Sequence, residues 1–201
     1  MPDSAANTGP GSEVAPVDAE AFWQFSLSVY ARPGVADLCL ALQDRAGANV
    51  NLLLFCCWIA EAFAARLDIA AAERLIREVQ PWEDDVVQPL RRIRRTMKTR
   101  KPEIPAIEQP RIEALRDAIK RAELDAEHSE QRLLALAWPD RLAPATRASS
   151  DPPATIALAN IADYMAAAGL ALPVDHPGLA GDLVEAIFTQ PRTPRAGAGK
   201  G

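Results

Sequence analysis

Apolar residues recur at intervals of three and four along most of the chain rather than at two, the period of amphipathic helices and not of strands. They are densest between residues 22 and 58. From residue 19 to 31, behind a capping Asp18, Phe22, Phe25 and Val29 form one stripe. Trp23, Leu27 and Tyr30 form a second, about 130° round the helix, so this helix is expected to be buried on more than one side. Ser26 falls between the stripes, as a small residue that lets a neighbouring helix come close or as a ligand contact. Arg32-Pro33-Gly34 interrupts the pattern, and a second helix follows with Val35, Leu38, Cys39 and Leu42 on one face, closed by Gly47. The third helix, capped by Asn49 and running from residue 50 to 67, is apolar nearly all round and is expected to pass through the centre of the fold.

Asp68 caps a fourth helix over residues 69–80, with Ile69, Ala72, Ile76 and Val79 inward and a Glu73/Arg77 pair four apart on its surface. Pro81 is read as its end. A fifth helix carries Val86, Leu90, Ile93 and Met97 as its apolar stripe, with Pro89 kinking it or marking its first turn. After a proline-bearing linker over residues 100–110, a long helix from 111 to 138 keeps a seven-residue rhythm through Ile112, Leu115, Ile119, Ala122, Ala126, Leu133 and Leu136. It fits antiparallel packing or a weak dimer seam. Residues 139–153 read as a loop. Two further helices are predicted, one from Pro153 to Ala168 with Leu158, Ile161 and Met165 as its apolar side, and one over residues 179–188. The expected fold is all-α, a multi-helix bundle around a central helix at about residues 49–67. Its single domain spans residues 18–188, with a main part 18–138 and C-terminal helices 152–188. Residues 1–17 and 189–201, rich in Pro, Gly and polar residues, are expected to be disordered tails.

Composition narrows the function classes. A net charge of -5 argues against a surface built for nucleic acid or anionic membrane. The longest apolar run, residues 52–60, is less than half of the roughly 20 residues that a membrane span needs, and the N-terminus lacks the basic and apolar regions of a signal peptide. Cys39, Cys56 and Cys57 lie inside apolar helical patterns, which suggests buried thiols in a reducing, cytoplasmic compartment. A redox or nucleophilic role for Cys57 or Cys39 is the alternative. There is no phosphate-binding glycine loop, no GxSxG elbow, no HExxH and no EF-hand loop. His128 and His176 stand alone in sequence, and Asp37 and Asp44, seven apart on one face, find no third carboxylate or histidine to complete a site. No metal and no cofactor is expected, and the inventory favours a non-catalytic protein.

Two constellations carry what chemistry there is. The fifth helix begins with Glu83, Asp84 and Asp85 and ends with seven basic residues in the eleven from 91 to 101, more than the helix dipole calls for. Arg91, Arg92, Arg94, Arg95 and Lys98 form a candidate face for a protein or anionic partner, solvent exposure or intramolecular pairing being the plainer account. The lack of interleaved aromatics weakens a nucleic-acid reading. Trp23, Tyr30, Gln43, Asn51, Trp58 and Glu61 combine hydrogen-bonding groups with bulky rings, the composition of a small-molecule pocket. Asn51, Trp58 and Glu61 share one sector of the central helix. Either that edge meets solvent, or Asn51 and Glu61 are buried and hydrogen-bonded.

W-x-F-S-L-x-x-Y at residues 23–30, L-x-L-Q-D at 40–44, G-x-N-V-N-L-L-L-F-x-x-W at 47–58 and W-E-x-x-V-V-x-P-L-R-x-x-R-R-x-M-K at 82–98 resemble a family of uncharacterised proteobacterial proteins. The resemblance covers residues 20–138. Its members carry no assigned activity, so it implies a bacterial cytoplasmic protein and no mechanism. The interaction-protein reading through residues 91–101 is the leading expectation, and a pocket among the first three helices is the alternative.

Overall fold

The computed structural model describes residues 18–100, 105–138 and 149–189. The predicted tails lie outside these residues, apart from Thr189, as do residues 101–104 and most of the 139–153 loop. Eight α-helices make up the described fold, and no strand occurs among the described residues: α1 (Ala19–Tyr30), α2 (Val35–Ala46), α3 (Val50–Phe63), α4 (Ile69–Trp82), α5 (Gln88–Arg100), α6 (Gln109–Ala137), α7 (Pro153–Ala167) and α8 (Leu179–Phe188). The fold is all-α, as the periodicity predicts. No described helix is long and apolar enough to cross a membrane.

Helix α3 occupies the centre. All ten residues from Asn51 to Ala60 are buried, and Phe22, Phe55, Phe63, Trp58 and Trp138 form a contiguous aromatic cluster round it, with ring centroids 5.1–5.7 Å apart. Its start is fixed by Asn49, whose side chain accepts from the Asn51 and Leu52 N–H groups. Its end comes at Phe63, earlier than predicted. There Ala64 takes a left-handed conformation with φ of 49°, which costs a non-glycine residue about 1 kcal/mol.

Asn160 of α7 holds that strained exit. It is fully buried, accepts from the Leu67 N–H at 2.8 Å, and donates to the carbonyls of Ala65 at 3.0 Å and Cys56 at 3.2 Å. One turn further along α7 the same is done for the start of α3, where Tyr164 Oη accepts the Asn49 N–H at 2.8 Å. Helix α7 thus runs along α3 and satisfies backbone groups at both of its ends. Asn160→Leu leaves these groups buried without partners and is expected to destabilise the fold by about 2 kcal/mol. The expected signature is a lower urea midpoint with the helical signal of the native state retained; an unchanged midpoint would show that water replaces the amide at no cost.

Four predicted faces and the predicted end of α4 differ from the structure. Pro81 does not end α4. The helix continues to Trp82 and passes through a five-residue π-turn, Glu83–Val87, into α5. The widened turn carries an extra residue ahead of Pro89, whose missing N–H cannot close an α-turn there, and it rotates the inward face by one position. Val87 and Arg91 are buried, in place of the predicted stripe Val86, Leu90, Ile93 and Met97, of which Ile93 is 48% exposed. On α6 the buried set is Glu123, Ala126, Glu130, Gln131, Leu134 and Ala135, so the predicted seam through Leu115 and Leu136 faces outward. Ile69 and Leu158, predicted inward, are exposed because Leu75 on α4 and Ile156 and Ala157 on α7 take the core-facing positions.

Candidate functional site

The π-turn and α6 turn polar residues inward at the same level. Glu83, Val87 and Arg91 follow one another at intervals of four, and Glu123, Glu127 and Glu130 at intervals of four and three, so each series lies along one face of its helix. Arg91 is at the junction, only 8% exposed. Its Nη2 donates to Glu127 Oε1 at 2.7 Å, its Nε to Glu123 Oε1 at 3.3 Å, and its Nη1 lies 3.7 Å from Glu83 Oε1 without a hydrogen bond. Arg94 grips Glu123 with two nitrogens, the bidentate fork that suits guanidinium to carboxylate. Burial works to raise the Glu123 carboxyl, and Arg94 and Arg91 outweigh it, holding the group below the ordinary carboxylate range. Burial dominates at Glu127, which stays above that range despite its bond from Arg91.

Beside this cluster α1, α2, α3, α5 and α6 enclose a cavity of ≈ 320 Å³. One wall is apolar: Trp23, Leu27 and Tyr30, the second stripe of α1, with Leu40, Leu54 and Leu124. That stripe is not closed over by another helix, which is why Leu27 and Tyr30 remain partly exposed. Trp23 is steadied from behind by His128, whose ring stacks on it with centroids 4.3 Å apart. The floor is polar. Ser26 donates to Gln131, Gln131 to Asn51 and Asn51 to Glu130, which also accepts from Asn49. Glu130 is fully buried, and burial together with the Glu83 charge raises its carboxyl to about 7 against the hydrogen bonds from Asn51 and Asn49. A second, more polar cavity of ≈ 480 Å³ lies on the other side of Asn49, Glu83 and Arg91, with Asp44, Gln80, Gln88 and Tyr164 in its walls.

Of the six residues that the sequence offers for a pocket, Trp23, Tyr30, Gln43 and Asn51 line the first cavity. Trp58 and Glu61 do not line it. Trp58 is sealed into the aromatic cluster, stacked on Phe22, and Glu61 is half-buried near the far end of α3. Of the five basic residues, Arg91, Arg94 and Arg95 line the cavity and are ion-paired within the chain, Arg95 to Asp44 at 3.3 Å; Arg92 and Lys98 are exposed on the outer side of α5. Glu123, Glu127, Glu130 and Gln131 were not singled out from the sequence, and Glu83 was read only as part of the acidic start of the fifth helix, although the spacing of three and four was visible there. The cysteines are free and buried. Burial pushes Cys39 up to about 12 and raises Cys56 and Cys57 well above the ordinary thiol value, so none presents a thiolate at neutral pH. Among the described residues no group of three or more His, Cys, Asp or Glu side chains is disposed to hold a metal ion.

No curated protein and no solved structure matches the chain. Residues 21–134 carry most of α1, all of α2 to α5, most of α6 and every cavity residue named above except Tyr164. They match the family described as "Protein of unknown function (DUF2390)", and over more than half of its length the chain belongs to that family.

Proposed function

We propose that this protein binds a small amphipathic molecule in the cavity between α1, α3, α5 and α6. The observation that carries the reading is the pairing of an apolar wall, at Trp23, Leu27, Tyr30, Leu54 and Leu124, with a connected hydrogen-bonding floor, at Ser26, Gln131 and Asn51, around ≈ 320 Å³ of space. Ligand sites have this build: apolar surface supplies affinity and a few fixed polar groups supply orientation. The alternative, a basic face that meets an anionic partner, has less support, because Arg91, Arg94 and Arg95 already engage carboxylates of their own chain. An exposed partner site would have to rest on Arg92 and Lys98.

Free, buried cysteines support a reducing compartment and with it the cytoplasm. The bonds from Asn160 and Tyr164 to the ends of α3 support reading residues 18–188 as one helical domain.

Leu124→Trp tests the proposal. Leu124 is 48% exposed and lies on the cavity wall, so an indole there occupies the space without entering the core. Native mass spectrometry of protein isolated from its own host is expected to show a carried small molecule in the wild type and its loss in Leu124→Trp, with thermal stability changed by less than about 0.5 kcal/mol. A wild type that carries nothing and takes up no small amphiphile in a binding screen removes the proposal.

A further inference from the structure

The floor of the cavity is one unbroken hydrogen-bonded chain that ends in the core. Ser26 Oγ donates to Gln131 Oε1 at 3.1 Å, Gln131 Nε2 to Asn51 Oδ1 at 2.9 Å and Asn51 Nδ2 to Glu130 Oε2 at 2.7 Å. Asn49 Nδ2 donates to the other oxygen, Glu130 Oε1, at 2.6 Å. Every donor points toward Glu130, which accepts at both oxygens, as a carboxylate does. Ser26 Oγ also lies 3.0 Å from the Phe22 carbonyl oxygen. A single hydroxyl proton cannot serve both acceptors.

That spare acceptor makes a second, fully satisfied arrangement available. With a proton on Glu130 Oε2, the Asn51 amide turns over so that Oδ1 accepts from it and Nδ2 donates to Gln131 Oε1. The Gln131 amide turns in the same way and donates from Nε2 to Ser26 Oγ, and Ser26 donates to the Phe22 carbonyl. Each group keeps its partners, and the amides exchange their oxygen and nitrogen positions. The two arrangements differ where the chain meets the cavity. Beside Ser26 the ionised form offers Gln131 Oε1, an acceptor, and the protonated form offers the second proton of Gln131 Nε2, a donor.

The cations that line the cavity, Arg91, Arg94, Arg95 and Lys120, are matched in number by Glu83, Glu123, Glu127 and Asp44, with Arg91 and Arg94 against the three glutamates and Arg95 against Asp44. An organic anion entering alone would add unbalanced charge to a partly desolvated site; one entering with a proton would not. Resting on the reading of the cavity as a ligand site, we propose that it takes up an organic acid as the carboxylate together with one proton from solvent, which Glu130 holds while the Ser26–Gln131–Asn51 chain inverts to donate to the ligand.

The groups round Glu130 keep that proton within the neutral range. Burial is the main cause, the carboxylates of Glu83 in the π-turn and Glu127 on α6 push the same way, and the Asn51 and Asn49 amides oppose them. Tyr164 on α7, the other titratable group beside it, is held above its ordinary value by burial and stays protonated.

Calorimetric titration with octanoate and with octan-1-ol, in buffers of different ionisation enthalpy between about pH 6 and about pH 8, tests the coupling. Octanoate stays ionised over this range, so any proton taken up enters the protein. Wild-type affinity for octanoate is expected to fall about tenfold per pH unit above about pH 7, with one proton absorbed per octanoate bound at the upper end, while octan-1-ol shows no such decline. Glu130→Gln, whose amide donates permanently to Asn51, is expected to bind octanoate across the range with the affinity that wild type shows at its acid end. A flat wild-type profile overturns the proposal. So does a slope that persists in Glu130→Gln, which would assign the proton elsewhere. In both cases the probes still bind and Leu124→Trp still excludes them, so the cavity reading survives. If wild type binds neither probe, the cavity reading falls and the proton coupling falls with it.

Discussion

Arg91→Met is expected to lower the unfolding free energy by about 3–5 kcal/mol, the range for removing one partner of a buried ionic cluster. The cause is what remains rather than what is lost. Methionine covers most of the volume of the arginine stem, so packing changes little. Glu127, however, loses its bond at 2.7 Å, Glu83 loses its nearby cation, and Glu123 keeps only Arg94. Three carboxylates are then left close together in a region where Glu123 and Glu83 are only 5% and 7% exposed. The deficit is expected to shrink in acid, because Glu127 already sits above the ordinary carboxylate range and protonates first. Arg92→Met, one position along on the exposed side of the same helix, is expected to stay within about 0.5 kcal/mol of wild type. Equal urea midpoints for the two variants would show that the cluster contributes nothing net.

Helix identity was legible from residue spacing, and helix ends were legible wherever a side chain or glycine marks them. Asp18, Asn49 and Asp68 cap the helices they were expected to cap, Gly34 and Gly47 take the left-handed conformations that bracket α2, and α8 begins and ends where its pattern does. Prolines misled the reading. Pro81 looks like a stop because its ring removes one backbone donor. The helix absorbs it, since the carbonyl it leaves open belongs to exposed Arg77, and the turn that follows is already widened into the π form. A local rule cannot see that the chain must carry Val87 and Arg91 round to meet α6.

The site was legible only in part, and for a single physical reason: the assignment of inward faces relied on apolar residues alone. On α3 that rule served, because the helix is enclosed on every side. The same enclosure made its wheel sectors uninformative about neighbours, so Trp58 was grouped with Asn51 although Trp58 stacks on Phe22 of α1 and Asn51 bonds to Glu130 and Gln131 of α6. On α6 the rule chose the wrong face. Leu115 and Leu136 are 52% and 64% exposed while Glu130 and Gln131 are buried, because Ser26 on α1, Asn49 at the cap of α3 and Asn51 on α3 hydrogen-bond to them. The signal available was charge complementarity between neighbours in sequence. Arg91 and Arg94, three apart, precede Glu123 and Glu127, four apart, across a short linker, and antiparallel packing of α5 on α6 brings the two series together.

Wild-type stability is expected to fall by about 3 kcal/mol as pH rises from about 5 to about 8, and Glu130→Gln to remove most of that fall, the remainder belonging to Glu127, whose folded carboxyl is also raised. The folded carboxyl is held at about 7, against 4.5 for an unperturbed glutamate. Below the lower value both states carry the proton and Glu130 has no effect on stability. Between the two values the folded protein keeps a proton that the unfolded chain has released, so each unit of pH costs about 1.4 kcal/mol. Above the upper value both states are ionised and the penalty is constant. Glu123 has the opposite sign, since its folded carboxyl lies below the ordinary range. The stability it lends is lost only in more acid solution, outside this window. Glutamine at position 130 has the shape of the protonated side chain without its titration, so the variant should match wild type near pH 5 and exceed it by most of the wild-type fall near pH 8. Urea unfolding of both proteins across the window decides the matter. Parallel, flat profiles would mean that water reaches Glu130 in solution, and a carboxylate so hydrated could not hold the proton on which ligand uptake is proposed to depend.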